Sequence, residues 1–405
     1  MTQDLLDHHC NDLFKNNKNV LLEWATGTGK TRQAIRAIDF LDKEKHNSIL
    51  IVVAETAHKK NWIEEFNKWN KAILSDINYD ITLICYDSLH HYRDNHFDMV
   101  ILDEAHHIGT EIRTDILRTI SSDRFILLSA TIEQNIIKEI SDIIGYIKIS
   151  RIPLQEAIAL GLIPQPKIIL VPMTLDNTIY NQEVIETRGN KDKLVTIMCS
   201  IKDKWKYLKN KKAYPNIKLI MKCTEQQKYN DLESKLTYYM KLLRIKNSES
   251  IKNKMLQYGS QRKTFLGLLK DKKAKEIIST FKNYRYLCFC ANIEQADRLG
   301  GSHSIHSKKD NPLEVIDKFN NKEINSLYVV GMLKEGQNLV DIEKGVIIQL
   351  DGKIRSFIQK SGRILRAEKP EIYIIYFKGT QDEIYLNRAL DGLNPEYIYN
   401  YENHN

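Results

Sequence analysis

The stretch Leu21-Leu22-Glu23-Trp24-Ala25-Thr26-Gly27-Thr28-Gly29-Lys30-Thr31 constrains this chain more than any other. An apolar run ends in a glycine-rich turn. Lys-Thr then opens a segment with helical periodicity at Ala34, Ile35, Ala37, Ile38 and Leu41. Strand, turn and helix in that order make a cradle for phosphate. Gly27 and Gly29 let backbone N–H groups converge on anionic oxygens, and the helix N-terminus adds a partial positive charge. In such a cradle Lys30 reaches β- and γ-phosphates and the Thr31 hydroxyl reaches Mg²⁺. Thr26 and Thr28 belong to the same turn. Trp24 stands where the general G-x-x-x-x-G-K-[ST] pattern has a glycine.

At 405 residues the chain exceeds what one core usually supports, so two domains are expected. Short apolar runs bounded by polar residues read as strands of a buried parallel sheet: Ser48–Val53, Ile81–Cys85, Phe97–Leu102 and Arg124–Leu128. Trp62, Phe66 and Trp69 lie at helical spacing, and core packing is the plainer reading of them. The run at Leu102 continues into Asp103-Glu104-Ala105-His106. Two adjacent carboxylates at a strand end are costly unless something positive sits there, and that edge is where ligands bind in open α/β sheets. There Asp103 would hold Mg²⁺, Glu104 would orient or deprotonate an attacking water, and His106 would couple them to another part of the site. Ser129 and Thr131 follow a further strand. Their hydroxyls can bond the carboxylate motif and transmit nucleotide state; taken alone they are an ordinary turn.

Near the start, Gln3 lies in a short helix with Leu5, Leu6 and Leu13. Its amide can read an adenine edge, although an exposed terminal glutamine is the plainer reading. The strand–helix alternation through Ser150 predicts a doubly wound α/β domain over 1–150. Pro153, Gly161, Pro164 and Pro166 mark a boundary. A second α/β domain is expected over 151–405, with strands near Ile168–Val171, Tyr286–Cys290, Leu327–Val330, Val346–Leu350 and Ile372–Tyr376. Residues 176–280 read as an insertion of long lysine-rich helices with no strand pattern. Late in the chain Gln359, Gly362-Arg363 and Arg366 share one face if their segment is helical. Paired arginines suit phosphate oxygens and an arginine finger; a basic face on a nucleic-acid backbone also fits. Gly336 and Asn338 sit in a loop after a strand, where Asn338 can contact ribose or couple the sites.

The net charge of +8 is uneven. Between Arg188 and Arg285 roughly 26 Lys or Arg stand against 8 Asp or Glu, and the rest of the chain is acidic. A polyanion partner and a merely solvated lysine-rich face fit this distribution equally well. Six scattered cysteines without a C-x-x-C pair suit a reducing, intracellular compartment and do not suit a zinc site. No apolar stretch approaches the roughly 20 residues of a membrane span. The N-terminal residues show no secretory signal.

Together these pieces resemble the superfamily 2 helicases and translocases, over most of the chain and in the right order. Residues 24–31 look like motif I, and Val53 to Trp69 like motif Ia. Asp103-Glu104-Ala105-His106 matches a DEAH-type motif II, and Ser129 to Thr131 motif III. Cys288 to Gly301 is similar to motif IV, Leu333 to Leu339 to motif V, and Gln359 to Arg366 to motif VI. The helicase form of motif I tolerates Trp24. The resemblance implies two RecA-like domains and a nucleic-acid-stimulated ATPase that uses ATP and Mg²⁺. It makes Gln3 the adenine reader and Arg363 and Arg366 the γ-phosphate-sensing arginines, with Gln359 beside them. Asn338 stands where many relatives carry Asp. Pro215–Leu243 and Arg262–Lys275 resemble helices of remodelling-type ATPases and of phage DNA helicases. The expected motor is a minimal one, of the kind encoded by phages or viruses, acting as a monomer on DNA in preference to RNA and leaving room for a protein partner; an RNA helicase, or a non-unwinding nucleotide-gated clamp or remodeller, is the alternative.

Overall fold

The computed structural model describes residues 3–74, 77–330, 339–350, 357, 360, 362, 364 and 367–403, with backbone alone for Gln3, Ala57, 180–183 and Asn403. The first sheet has six strands: β1 (Asn19–Trp24), β2 (His46–Val53), β3 (Asn78–Cys85), β4 (His96–Asp103), β5 (Ser121–Ser129) and β6 (Lys148–Ile152). Their order is β3-β2-β4-β5-β1-β6, and every pairing is parallel. Helices cover both faces, so the central strands are apolar along most of their length rather than alternating. Leu21, Leu50, Val52, Val100, Leu102 and Leu127 pack with Ile116, Ile137 and Ile140 in one buried cluster. Register aligns Leu22 with Leu128, and Leu128 with Asp103. The end of β1 and the carboxylates after β4 therefore lie at the same carboxyl edge, separated by one strand. Three helices serve this edge: α1 (Gln3–Asn16), α2 (Lys30–Ile38) and α3 (Thr56–Ile73).

The chain continues through β7 (Lys167–Met173), β8 (Tyr180–Arg188), β9 (Val195–Ser200), β10 (Ile217–Cys223), β11 (Tyr286–Cys290), β12 (Ser304–Ile305), β13 (Ser326–Val330), β14 (Lys344–Ile347), β15 (Glu371–Phe377) and β16 (Ile398–Asn400). A seven-stranded sheet takes the order β12-β13-β11-β14-β15-β7-β16. It is the second RecA-like α/β layer. The strands expected from the sequence near 168, 286, 327, 346 and 372 are all in it.

The chain divides into two compact units. One comprises 1–171, 274–374 and 384–405 and holds the first sheet and most of the second; the other comprises 172–273 and 375–383. The second unit corrects the sequence reading of 176–280. Its helices Glu225–Lys246 and Glu249–Leu269 are long, as expected, but β8, β10 and β9 form a three-stranded sheet before them. The pattern was hidden by lysine. In β10, Ile217, Leu219, Met221 and Cys223 are buried while Lys218 and Lys222 are exposed. That is strict alternation for a sheet with one wet face, but it never makes a continuous apolar run. β8 and β9 are edge strands, where polar residues are the rule.

Candidate nucleotide site

The Gly27–Thr31 loop is built by backbone conformation. Gly27 and Gly29 sit at φ +90° and +89°, where an L side chain is strained. Thr28 Oγ1 donates to the Ala25 carbonyl at 2.8 Å and closes the turn. Gly29 caps α2, and the Gln33 N–H returns to its carbonyl at 3.1 Å. No backbone carbonyl among the described residues takes the N–H groups of Gly27, Thr28 or Gly29, so they are available to an anion. Lys30 Nζ folds into the loop, donating to the Trp24 carbonyl at 2.8 Å and that of Ala25 at 3.3 Å. Burial lowers the pKa of this ammonium, while the charges of Glu104 and Asp103 oppose the shift. Thr31 follows it in the first turn of α2. Trp24 is fully buried, and its indole N–H donates to Ser150 Oγ at 3.0 Å, with His9 Nε2 3.2 Å from the same oxygen.

Across β5 stand the two carboxylates. Asp103 is oriented by three groups. The Trp62 indole N–H donates to Oδ2 at 2.8 Å, the Glu104 N–H to Oδ1 at 3.0 Å, and the Tyr86 hydroxyl to the Asp103 carbonyl at 3.0 Å. Burial and then the adjacent Glu104 push the Asp103 carboxyl pKa up; His58, Trp62 and Lys30 pull the other way. A hard cation would relieve both raising influences. Glu104 occupies the left-handed region at φ +48°, ψ +53°, unusual for a residue with a side chain. His106 Nδ1 lies 3.3 Å from Glu104 Oε2 and 3.3 Å from Ser129 Oγ. Ser129 Oγ in turn donates to the Thr131 carbonyl at 2.8 Å. Carboxylate, imidazole, hydroxyl and the loop after β5 thus form one polar chain. Thr131 enters it through its backbone.

Of the residues named from the sequence, Thr26, Gly27, Thr28, Gly29, Lys30, Thr31, Asp103, Glu104, His106, Ser129 and Thr131 gather at this edge. Gln3 opens α1, and its side chain lies outside the described residues. Gly336, Asn338, Gln359, Arg363 and Arg366 lie outside them too. Gly362 is described and stands against the loop: a Cβ there would come 2.6 Å from Thr26 Cβ. Phe357, Lys360 and Ile364, on either side of it, are buried.

Sequence reasoning missed several residues. Trp62 is buried as expected, yet it is also a donor to Asp103. Asp7 of α1 binds Arg32 of α2 through both oxygens, at 2.8 and 2.7 Å, and takes Gln33 at 2.7 Å and Arg36 at 2.6 Å. The Arg32 guanidinium lies 4.7 Å from the Trp69 ring centroid. No local signal marks these pairs, because each partner alone reads as an ordinary helical residue.

Comparison with known proteins agrees with this geometry. Residues 1–134 match the family described as type III restriction enzyme, res subunit, and residues 269–368 match the helicase conserved C-terminal domain. The chain is similar to the DNA 3'-5' translocase XPB2 of Sulfurisphaera tokodaii, at 23% identity over 386 residues, covering 90% of this chain and 79% of that protein. Helicase SWR1 of Candida glabrata is 27% identical over 165 residues, 33% of this chain and 11% of that one. Among solved structures, the DNA-bound ATP-dependent type ISP restriction-modification enzyme LlaBIII superposes with a TM-score of 0.54 at 11% identity, covering 98% of this chain and 31% of that chain. That likeness concerns the fold alone.

Proposed function

We propose, from the premise that this chain is a superfamily 2 helicase, that it is an ATP-driven translocase or helicase acting on DNA. The observation that carries the reading is the convergence of the Gly27–Thr31 loop and the Asp103–Glu104 pair at one sheet edge, with Gly362 of the second α/β layer against Thr26. The donor set fits Mg·ATP. Left-handed glycines expose amides to phosphate, Lys30 supplies a cation, and Thr31 and Asp103 are hard oxygen donors. When bound, Mg²⁺ neutralises phosphate charge and aligns the leaving oxygen.

In this reading the chain's own residues divide the work. Lys30 leaves its two carbonyl partners for phosphate oxygens. Asp103, held by Trp62, presents an oriented carboxylate. Glu104 takes the proton of the attacking water, and His106 and Ser129 relay the state of Glu104 to the loop after β5. Arg363 and Arg366, covalent neighbours of the Gly362 segment, are assigned the closing role at the γ-phosphate, with Gln359 beside them. Gln3 is assigned the adenine edge, and Asn338 the coupling of nucleotide to nucleic acid. Closing and reopening two sheet domains around one nucleotide moves them stepwise along a strand. Both domains belong to one chain, so a monomer suffices. Among the described residues no helix is long and apolar enough to cross a membrane.

Steady-state ATPase of the wild type and Glu104→Gln tests this, without nucleic acid and with single-stranded DNA, duplex or forked DNA, and RNA. DNA is expected to stimulate hydrolysis, and Glu104→Gln to lower kcat by about 10²- to 10⁴-fold. Stimulation by RNA alone, or hydrolysis indifferent to nucleic acid, would sink the DNA-motor reading.

A further inference from the structure

We propose that residues 202–212 of the insertion form a separate contact for single-stranded nucleic acid, in which Trp205 stacks an unpaired base and the surrounding lysines hold its phosphates. This rests on the nucleic-acid reading above and adds a site that the motor motifs do not include.

The segment holds Lys202, Lys204, Lys206, Lys209, Lys211 and Lys212 against a single acid, Asp203. It is built, not merely charged. Within the helix Lys204–Lys209, Tyr207 and Leu208 pack on Cys199, Ile217 and Leu219 of the three-stranded sheet. Lys204 is buried and lies 2.8 Å from both carboxylate oxygens of Asp231, which also takes Lys235 at 2.7 Å. Arg188 donates to the Tyr207 carbonyl within the helix and to the Tyr214 carbonyl just after the segment, at 3.0 Å each. Asp203 is occupied by the Ser200 hydroxyl at 2.6 Å. The local acid is therefore engaged, and the backbone under the helix is pinned.

On this pinned helix Trp205 is 50% exposed, whereas Trp24 and Trp62 are 0% and 2% exposed. Lys202, Lys206, Lys209, Lys211 and Lys212 are exposed, and none has a carboxylate partner among the described residues. Lys204 Nζ lies 5.8 Å from the Trp205 ring centroid. A half-exposed indole within seven residues of five exposed lysines that lack a carboxylate partner is unfavourable twice, through lost apolar burial and through like-charge repulsion. A ligand that relieves both must be polyanionic and carry planar apolar faces. Single-stranded nucleic acid meets both conditions, because its bases are free to stack and every base has a π-face. A duplex offers phosphates but keeps its bases stacked inside.

The test uses the full chain with oligothymidylate and with a duplex of equal length, following intrinsic tryptophan fluorescence and affinity against salt. Oligothymidylate should quench the wild type. Trp205→Ala should weaken its binding by about 5- to 100-fold and remove most of the quench, while duplex affinity moves less than about twofold. Trp205→Phe keeps a stacking ring and should recover most of the affinity without the quench; Trp205→Leu, apolar but without a ring, should lose affinity as Trp205→Ala does and carries the test if Trp205→Ala fails to fold. Replacing Lys206, Lys209 and Lys211 by Gln should flatten the salt dependence by about 0.7 per lysine. Unchanged oligothymidylate affinity in Trp205→Ala and Trp205→Leu, with DNA-stimulated ATPase intact, would overturn this site and leave the motor standing. No binding and no stimulation of the wild type would overturn both. Tight binding of polyglutamate, lost equally in Trp205→Ala, would assign the patch to an acidic protein partner and overturn it as well.

Discussion

Asp103 shows what a single residue needs before it can serve a cation. A carboxylate at a strand end is free to rotate unless donors hold it, and here Trp62 and the Glu104 amide take one oxygen each. The conformation of Glu104 is part of the arrangement. Its left-handed backbone costs about 1–2 kcal/mol for an L residue, and it lets two successive carboxylates leave the strand without continuing its alternation. Trp62→Phe removes one donor and leaves a half-buried oxygen unsatisfied, worth about 1–3 kcal/mol. We expect kcat/KM for Mg·ATP to fall about 5- to 100-fold and the Mg²⁺ requirement to rise. ATPase measured across Mg²⁺ concentrations, with thermal melting alongside, checks this. A lower melting point with unchanged Mg²⁺ dependence would reduce Trp62 to packing. The motif string itself was legible, since Asp103, Glu104 and His106 are consecutive with a strand. The donor that orients Asp103 was not, because Trp62 is separated from it by the whole of β3.

At the level of elements, the clamp on α2, the helix that follows the glycine loop, is the feature to test. α1 and α2 are tied by Asp7 to Arg32, Gln33 and Arg36, with side chains of Asp7, Arg32 and Arg36 only 14–18% exposed. Arg32 passes the connection to α3 by lying over Trp69. Asp7→Ala strips several donors of one shared acceptor and leaves two guanidinium groups facing each other. A loss of about 2–4 kcal/mol in urea unfolding is expected. Gln3, proposed above to read the adenine edge, lies one helical turn before Asp7, so on that reading the preference for ATP over GTP should fall as well. Destabilisation with the nucleotide preference intact would detach α1 from base reading. The helix was readable from Leu5, Leu6 and Leu13; the clamp was not, since charge on a short helix usually means solvent.

The whole molecule adds a discontinuity. The insertion unit is closed by a segment from far downstream, 375–383, and the pair that seals it is Lys270 with Asp382, 2.6 Å apart and fully buried. Burial lowers the pKa of the Lys270 ammonium, and Asp382 opposes that shift. Removing one partner leaves an uncompensated buried charge, so Lys270→Met should cost about 3–5 kcal/mol. Native-state hydrogen exchange is expected to speed up across 172–273 while the six-stranded sheet keeps its protection. Equal loss in both would mean that the pair holds up the whole chain.

Much here follows from local order alone. Apolar runs, the glycine turn and the two carboxylates depend on residues a few positions apart, and they suffice for two parallel sheets with a glycine loop and an acidic pair at strand ends. Lysines interleaved in β10 hid the small third sheet from that kind of reading, because its apolar residues alternate and never run together. What only the tertiary structure decided is which distant groups meet. The order β3-β2-β4-β5-β1-β6 brings Ser129 to His106 and sets the loop after β1 one strand away from Asp103. Helix packing brings Asp7 to Arg32, and chain return brings Asp382 to Lys270. These pairings cross long stretches of chain and are chosen by burial and charge in three dimensions, where sequence spacing carries no information.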